Sequence, residues 1–394
     1  MIFLRFFVPN SLAERVFYSM MGLSFNLKKS TAVLSIVSYI AITAFLSLYA
    51  IERTTFNFSN FNFVTDLLRY FIFSIGLVSC FLYESKLKTA LCTVYFIVAY
   101  ITHKFSGSYF LFDLFFIPIF LSRIVTSRVV VKISFYVLVI TVISAVLLDI
   151  YEVLPQTSFG TRGKFVRHNL GFAHPNSLGL MLMLLGMLFV LKVKHLTFDH
   201  LLLPVLLGII CIVVPNSYSS AYVLFMLAFL LCLIIKFQNC TLTIAAQRRF
   251  FVTLMIIFIC TIALVYFLSL SECFKDFIHK LPGTLLSRLS FGAEAFRKYG
   301  FSLFGQPYFP KDTFPGYFIV DCTFFYLPIF IGIVPSIIYL LLVGRAVWLS
   351  IKSNNFVLLV IQFLIFIYSI SEAIVIYPFF MFAYFDYNTK VSVS

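Results

Sequence analysis

Residues 162–191 read RGKFVRHNLGFAHPNSLGLMLMLLGMLFVL, and the character of the chain changes abruptly inside them. Up to Ser177 the stretch is polar, with Arg162, Lys164, Arg167, His168, Asn169, His174 and Asn176 close together. From Leu178 to Leu191 every residue is apolar or glycine. A helix that is apolar all round must be surrounded by other helices or by lipid. The switch falls at His174–Pro175: proline disfavours helix in the residue before it and suits a first helical turn. Asn176 or Ser177 then offers a side chain to cap the span that follows. The start of that helix, with free backbone N–H groups, makes an anion site.

The same alternation of greasy runs and short polar breaks extends across all 394 residues. Hydrophobic residues make up 62% and charged ones 11%, with a mean hydropathy of +1.04. A water-facing surface needs far more charge, so the chain uses lipid as its solvent. Its runs lack the period-two alternation of an outer-membrane barrel. The expected fold is all-α: one polytopic helical membrane domain over residues 1–394, with ten to twelve spans. About twelve are legible, at 31–50, 64–83, 89–102, 108–125, 129–150, 175–191, 200–215, 219–236, 251–270, 320–344, 355–372 and 374–386. Those at 89–102, 200–215 and 374–386 are short for ~20 residues per crossing; each tilts little, extends into its flanks or is re-entrant. No signal-peptide cleavage site follows MIFLRFFVPN, and residues 11–27 read as an interfacial helix.

Charge supplies the orientation. With the N-terminus in the cytoplasm, seventeen Lys and Arg fall in inner segments and three (Arg53, Arg69, Lys104) in short outer ones. That asymmetry is a strong positive-inside signal and puts both termini in the cytoplasm. The remaining nine of the 29 basic residues lie in two longer outer loops, 151–174 and 271–319. Long loops translocate regardless of charge, but clustered arginines also bind phosphate oxygens bidentately. The net charge of +14 is spread between spans and forms no soluble basic face, which argues against nucleic acid. The second loop carries helical apolar spacing in FKDFIHKLPGTLLSRLSFGAEAFRKYG, read as amphipathic helix along the membrane surface.

The chemistry-bearing residues gather in those loops. His168 and His174 titrate in the range a general base needs, and His279 in the second loop is a third candidate. His103, His195 and His200 stand at other span ends and read as interfacial. Arg288, in LLSRLSFG, is either a snorkelling side chain or a second phosphate clamp. Asp321 lies at the mouth of a span, where a carboxylate is costly unless solvated or paired; Glu372 raises the same question. No Cys/His/carboxylate spacing suits a metal, and six of the eight cysteines read as packing residues. A Cys273–Cys322 disulfide across the second loop is one option for the other two. P-loop, GxGxxG, DxD and GxSxG elements are absent. Chemistry without nucleotide, metal or other cofactor needs a substrate that brings its own activated bond.

RHNLGFAHPNSLGLML (167–182) resembles the HPN element of Wzy-type polysaccharide polymerases, in the O-antigen ligase and polymerase superfamily. NSYSSAYVLFML (216–227), LLSRLSFGAEAFRKYGFSLFGQP (285–307), VDCTFFYLPIFIGIV (320–334) and SEAIVIYPFF (371–380) resemble further elements in the same order. Tyr218 and Cys322 stand where the family more often has Arg and Asn. The resemblance implies a glycosyltransferase of the bacterial cytoplasmic membrane, acting at its outer face. It would move a growing glycan from undecaprenyl pyrophosphate to the next lipid-linked repeat unit, building a cell-surface polysaccharide such as a capsule, exopolysaccharide or O-antigen. On this chain Arg162, Arg167, Arg288 and Asn176 would hold the pyrophosphate. His174, His168, Asp321 and His279 would be the catalytic candidates, with His168 or His174 as base. Partners would be the lipid-linked oligosaccharide, membrane lipids, a flippase and a chain-length regulator. A ligase passing glycan to another acceptor is the nearest alternative; a lipid-linked oligosaccharide flippase is a second, of a different class.

Overall fold

The computed structural model describes residues 27–55, 61–83, 86–122, 124–154, 159–162, 165–193, 195–238, 284–307, 320, 322–372 and 378–385, with isolated positions between 245 and 271. Its helices are α1 (Leu27–Glu52), α2 (Phe61–Tyr83), α3 (Lys86–Ser106), α4 (π-helical Phe112–Phe116 running into Ile117–Phe120) and α5 (Ser127–Ile150). A hairpin of β1 (Phe159–Arg162) and β2 (Phe165–Arg167) leads to α6 (Pro175–Lys192). Then come α7 (Leu202–Val213, entered through a 3-10 turn at Phe198–Leu201), α8 (Tyr218–Gln238) and α9 (Thr284–Tyr299). They are followed by α10 (Thr323–Tyr326, passing into a π-turn at Leu327–Ile331), α11 (Ile333–Lys352), α12 (Phe356–Ser371) and a 3-10 turn at Pro378–Tyr384.

Among the described residues six helices are long and apolar enough to cross a membrane: α1, α2, α5, α6, α8 and α11. The stretch Phe198–Val213 and most of α12 are apolar but shorter. α6 is the centre of the bundle. Of its length 72% is buried, against 22–50% for the other five long helices. It packs on α5, α7 and α8, while α8 also packs on α7 and α12, and α1 joins α2 to α5. That burial accounts for the missing polar face of α6: every side meets protein, so none needs to differ. Gly179 lets α8 approach, because a Cβ there would stand 2.5 Å from the Ser217 side chain.

Several expected spans take a different form. The short span at 89–102 extends into its flanks as α3. The one at 200–215 stays short. The run at 108–125 becomes α4, and that at 374–386 holds the seven-residue 3-10 turn. These two pieces pack on each other, and both are almost wholly buried. With a rise of ~1.5–2 Å per residue, neither reaches across ~30 Å of hydrocarbon. Hydropathy cannot separate an apolar run that faces lipid from one that faces protein. Most of 251–270 lies outside the described residues. Within the second loop, Thr284–Tyr299 is helical as α9. The first loop is not all irregular, since residues 159–167 pair as a hairpin.

α4 carries one carboxylate into this apolar setting. Arg69 on α2 donates from Nε to Asp113 Oδ1 at 2.7 Å and from Nη2 to Oδ2 at 2.8 Å. Its Nη1 donates to Asp66 Oδ1 at 2.7 Å. The guanidinium also lies 4.5 Å from the Tyr109 ring centroid, and His103 stacks on that ring at 3.8 Å. The pair thus fixes α4 to α2 and sets the end of α3 against both. Losing one partner of a buried ion pair is far worse than losing both. We predict that Asp113→Ala lowers stability by about 3 kcal/mol, read as the thermal midpoint of the purified protein. The double variant Arg69→Met/Asp113→Leu should recover most of that loss; a double variant as unstable as the single one contradicts the pairing.

Candidate functional site

The polar stretch before α6 is held by its backbone. Phe172 N–H donates to Asn169 O at 3.0 Å, and Leu170 and Gly171 both take left-handed φ values, 42° and 78°. This is the geometry of a type I′ turn. Gly171 is needed twice over, since a Cβ there would also meet Ala145 O at 2.5 Å. Two further ties fix the segment. Ala173 N–H donates to Arg53 O at 2.9 Å and Thr55 N–H to Gly171 O at 2.8 Å, joining it to the end of α1. His168 N–H donates to Val214 O at 3.1 Å, joining it to the end of α7.

The cap of α6 is His174 itself, not Asn176 or Ser177. Its backbone is extended (φ −151°, ψ 145°) and its side chain accepts from the Asn176 N–H. The acceptor is Nδ1, at 3.0 Å. A neutral imidazole that accepts at Nδ1 carries its proton at Nε2, so the capping His174 presents a donor. The expected free N–H groups at the start of α6 are also absent. Pro175 has none, Asn176 donates to the His174 ring, and Ser177 and Leu178 donate to His174 O at 2.9 and 3.4 Å. This helix start is therefore satisfied internally, which corrects its reading as a ready anion site; anion binding falls to side chains.

Stretches far apart in sequence meet beside this cap. Gly179 faces Ser217, and Ser217 Oγ donates to Ser220 Oγ at 3.2 Å. Ser220 pairs with the Tyr368 hydroxyl at 3.4 Å, and Ser219 Oγ donates to Glu372 Oε1 at 3.2 Å. Thr323 Oγ1 donates to Glu372 O at 2.8 Å. Glu372, 2% exposed, thus links α8, α10 and the end of α12. α9 packs on α10 and α12, and a Cβ on its Gly292 would strike the Phe325 ring. The segment after α9 closes on the same end of the bundle, with Gln306 N–H donating to Phe330 O at 3.0 Å.

The expected site residues fall out as follows. His174 and His168 lie in one short segment and both side chains are exposed. Asn176 stands in the first turn of α6, half-buried. Arg162 and Arg167 occupy the hairpin, where the backbone of Arg162 pairs with that of Phe165 and Arg167 with Phe159. Arg288 is on α9, one turn before Gly292. Asp321, His279, Lys164, Lys275, Lys280, Lys311 and Cys273 lie outside the described residues. Among the described residues no three His, Cys, Asp or Glu converge where a metal could sit.

Sequence reading passed over the Arg69–Asp113–Asp66 cluster and Arg53, and set His103 aside. The signal was there for one of them: Asp113 is the sole acid in 108–125, and an acid inside an apolar run calls for a partner. Arg53 was hidden by its place in a short loop. Its guanidinium donates to the Tyr49 hydroxyl at 2.8 Å, and its carbonyl stands next to the residue preceding His174.

The structure defines a helical membrane protein with a polar cluster at one end of its bundle. Beyond that class the chain has no match: no family model, no curated protein and no solved structure.

His174→Ala should cost about 1 kcal/mol through loss of the cap, whereas His174→Asn keeps a capping side chain and removes only the imidazole donor. A thermal midpoint equally lowered in both variants contradicts the capping role. Gly171→Ala should be less stable than wild type by about 1–3 kcal/mol; an unchanged midpoint contradicts the strained turn.

Proposed function

We propose that this chain is a Wzy-type polysaccharide polymerase, joining lipid-pyrophosphate-linked oligosaccharide repeat units at the outer face of the bacterial cytoplasmic membrane. One observation carries the reading. The HPN element, the serine-rich start of α8, the segment at Thr323 and the glutamate at 372 resemble that family separately. The last three meet through side-chain contacts of 2.8–3.4 Å, and Gly179, on the helix that the HPN element opens, lies against Ser217. In this reading that end is the outer one, the chain makes about twelve crossings counting the segments outside the described residues, and both termini are cytoplasmic.

The chemistry is a displacement at the anomeric carbon of the donor glycan. A hydroxyl of the incoming repeat unit attacks that carbon, the bond to the pyrophosphate oxygen breaks, and lipid pyrophosphate leaves with the bonding electron pair. The hydroxyl proton passes to a base. Arg162, Arg167 and Arg288 hold the leaving group, and His174 adds its Nε2–H. Fixed positive charge where leaving-group charge develops is usually the largest catalytic contribution. His168 is the better base of the two histidines, because its ring does not cap a helix, whereas the His174 Nδ1 accepts from the Asn176 N–H. From the second loop, His279 is a third candidate for the base, and Asp321 holds a sugar hydroxyl, orients a histidine or pairs with an arginine. A flippase supplying repeat units and a chain-length regulator are the expected partners.

Arg167→Ala or Arg288→Ala should each slow polymerisation by a factor of about 100, from ~3 kcal/mol of lost charge stabilisation. Cells carrying either variant at normal protein level should accumulate single repeat units. Full-length polymer from both variants contradicts the pyrophosphate clamp.

A further inference from the structure

The turn between α7 and α8 holds an asparagine that the proposed chemistry does not use. Asn216 is 1% exposed, and neither its Nδ2 nor its Oδ1 has a hydrogen-bond partner among the described residues. Its φ is 50°. The left-handed backbone accounts for Asn as a residue type, and glycine would serve that purpose with less strain. It does not account for a buried amide with both ends unsatisfied, since native proteins leave few such groups and each costs about 1–3 kcal/mol. Ser79, Thr102 and Ser134 also have orphaned oxygens, but each is a single hydroxyl inside a helix. Asn216 combines an orphaned donor and an orphaned acceptor at the polar end. Two residues before it, Val214 O holds the His168 N–H; immediately after it, Ser217 faces Gly179.

We propose that Asn216 reads the sugar next to the pyrophosphate, taking a pair of adjacent hydroxyls: one accepts from Nδ2 and its neighbour donates to Oδ1. This rests on the reading of the chain as binding a lipid-pyrophosphate glycan. The chemistry of the amide narrows the ligand. Pyrophosphate oxygens only accept and cannot satisfy Oδ1; a prenyl tail does neither; lysine and arginine only donate. Adjacent hydroxyls supply both functions side by side. The amide is closed to solvent, so sugar binding requires the turn to open.

Three probes test this on the detergent-purified full chain: farnesyl diphosphate, glucosyl diphosphate farnesol, and the same glucosyl compound with its sugar hydroxyls methylated. Wild type should bind the glucosyl compound about tenfold more tightly than the bare diphosphate. Methylation should erase that gain. Asn216→Gly, which keeps the left-handed turn, should lose the gain while binding farnesyl diphosphate as wild type does. Asn216→Asp, which loses the donor, should lose the gain as well. A glycine variant that keeps the tenfold gain overturns the assignment, as does a wild type that binds methylated and free sugar alike. A wild type that binds none of the three overturns the assignment together with the function it rests on.

Discussion

In lipid every backbone N–H and C=O must find its partner within the protein, and helix ends are where that is hardest. α6 meets the constraint at the centre of the bundle. It is sheathed along its length, so its polar start must be closed by local residues. His174 does this with its ring and its carbonyl, and Pro175 removes one donor from the problem. The type I′ turn at residues 169–172 then aims the chain into the cap, and the ties to Arg53 and Val214 hold that turn between α1 and α7. The gathering of distant segments follows: Gly179 draws the start of α8 against α6, and Ser219 and Ser220 bring the end of α12 to it.

The same logic explains what could be read in the sequence. The bounds of α6 were legible within a residue, because proline and the onset of unbroken hydrophobicity are local signals. α5 and α8 were legible for a similar reason. The nature of α4 and of the turn at 378–384 was not, because a protein-facing apolar run looks like a lipid-facing one. Nor was the identity of the α6 cap: Asn and Ser are the usual capping residues, and only the extended backbone forced by Pro175 puts the His174 ring over the Asn176 N–H. Asp113 could have been suspected from its apolar surroundings, but its partner lies 44 residues away. The Ser219–Glu372 bond joins residues 153 apart, and nothing local announces it.

The polar end of the bundle holds two clusters of different kinds. Around Arg69 the charges answer one another, with Asp66, Asp113 and the Tyr109 and Phe45 rings about a single guanidinium, and the outcome is a clasp between helices. Around His174 and Asn216 the groups point to something else. A ring nitrogen that must carry its proton and an amide with no partner among the described residues are suited to a ligand that brings acceptors at one place and hydroxyls at another. A glycan on a pyrophosphate has both.

The most direct test is polymerisation in vitro. The purified protein, reconstituted in lipid with a single lipid-linked repeat unit and EDTA, should yield a ladder of longer lipid-linked oligosaccharides and release lipid pyrophosphate. Repeat unit recovered unchanged from protein that binds it would contradict the account.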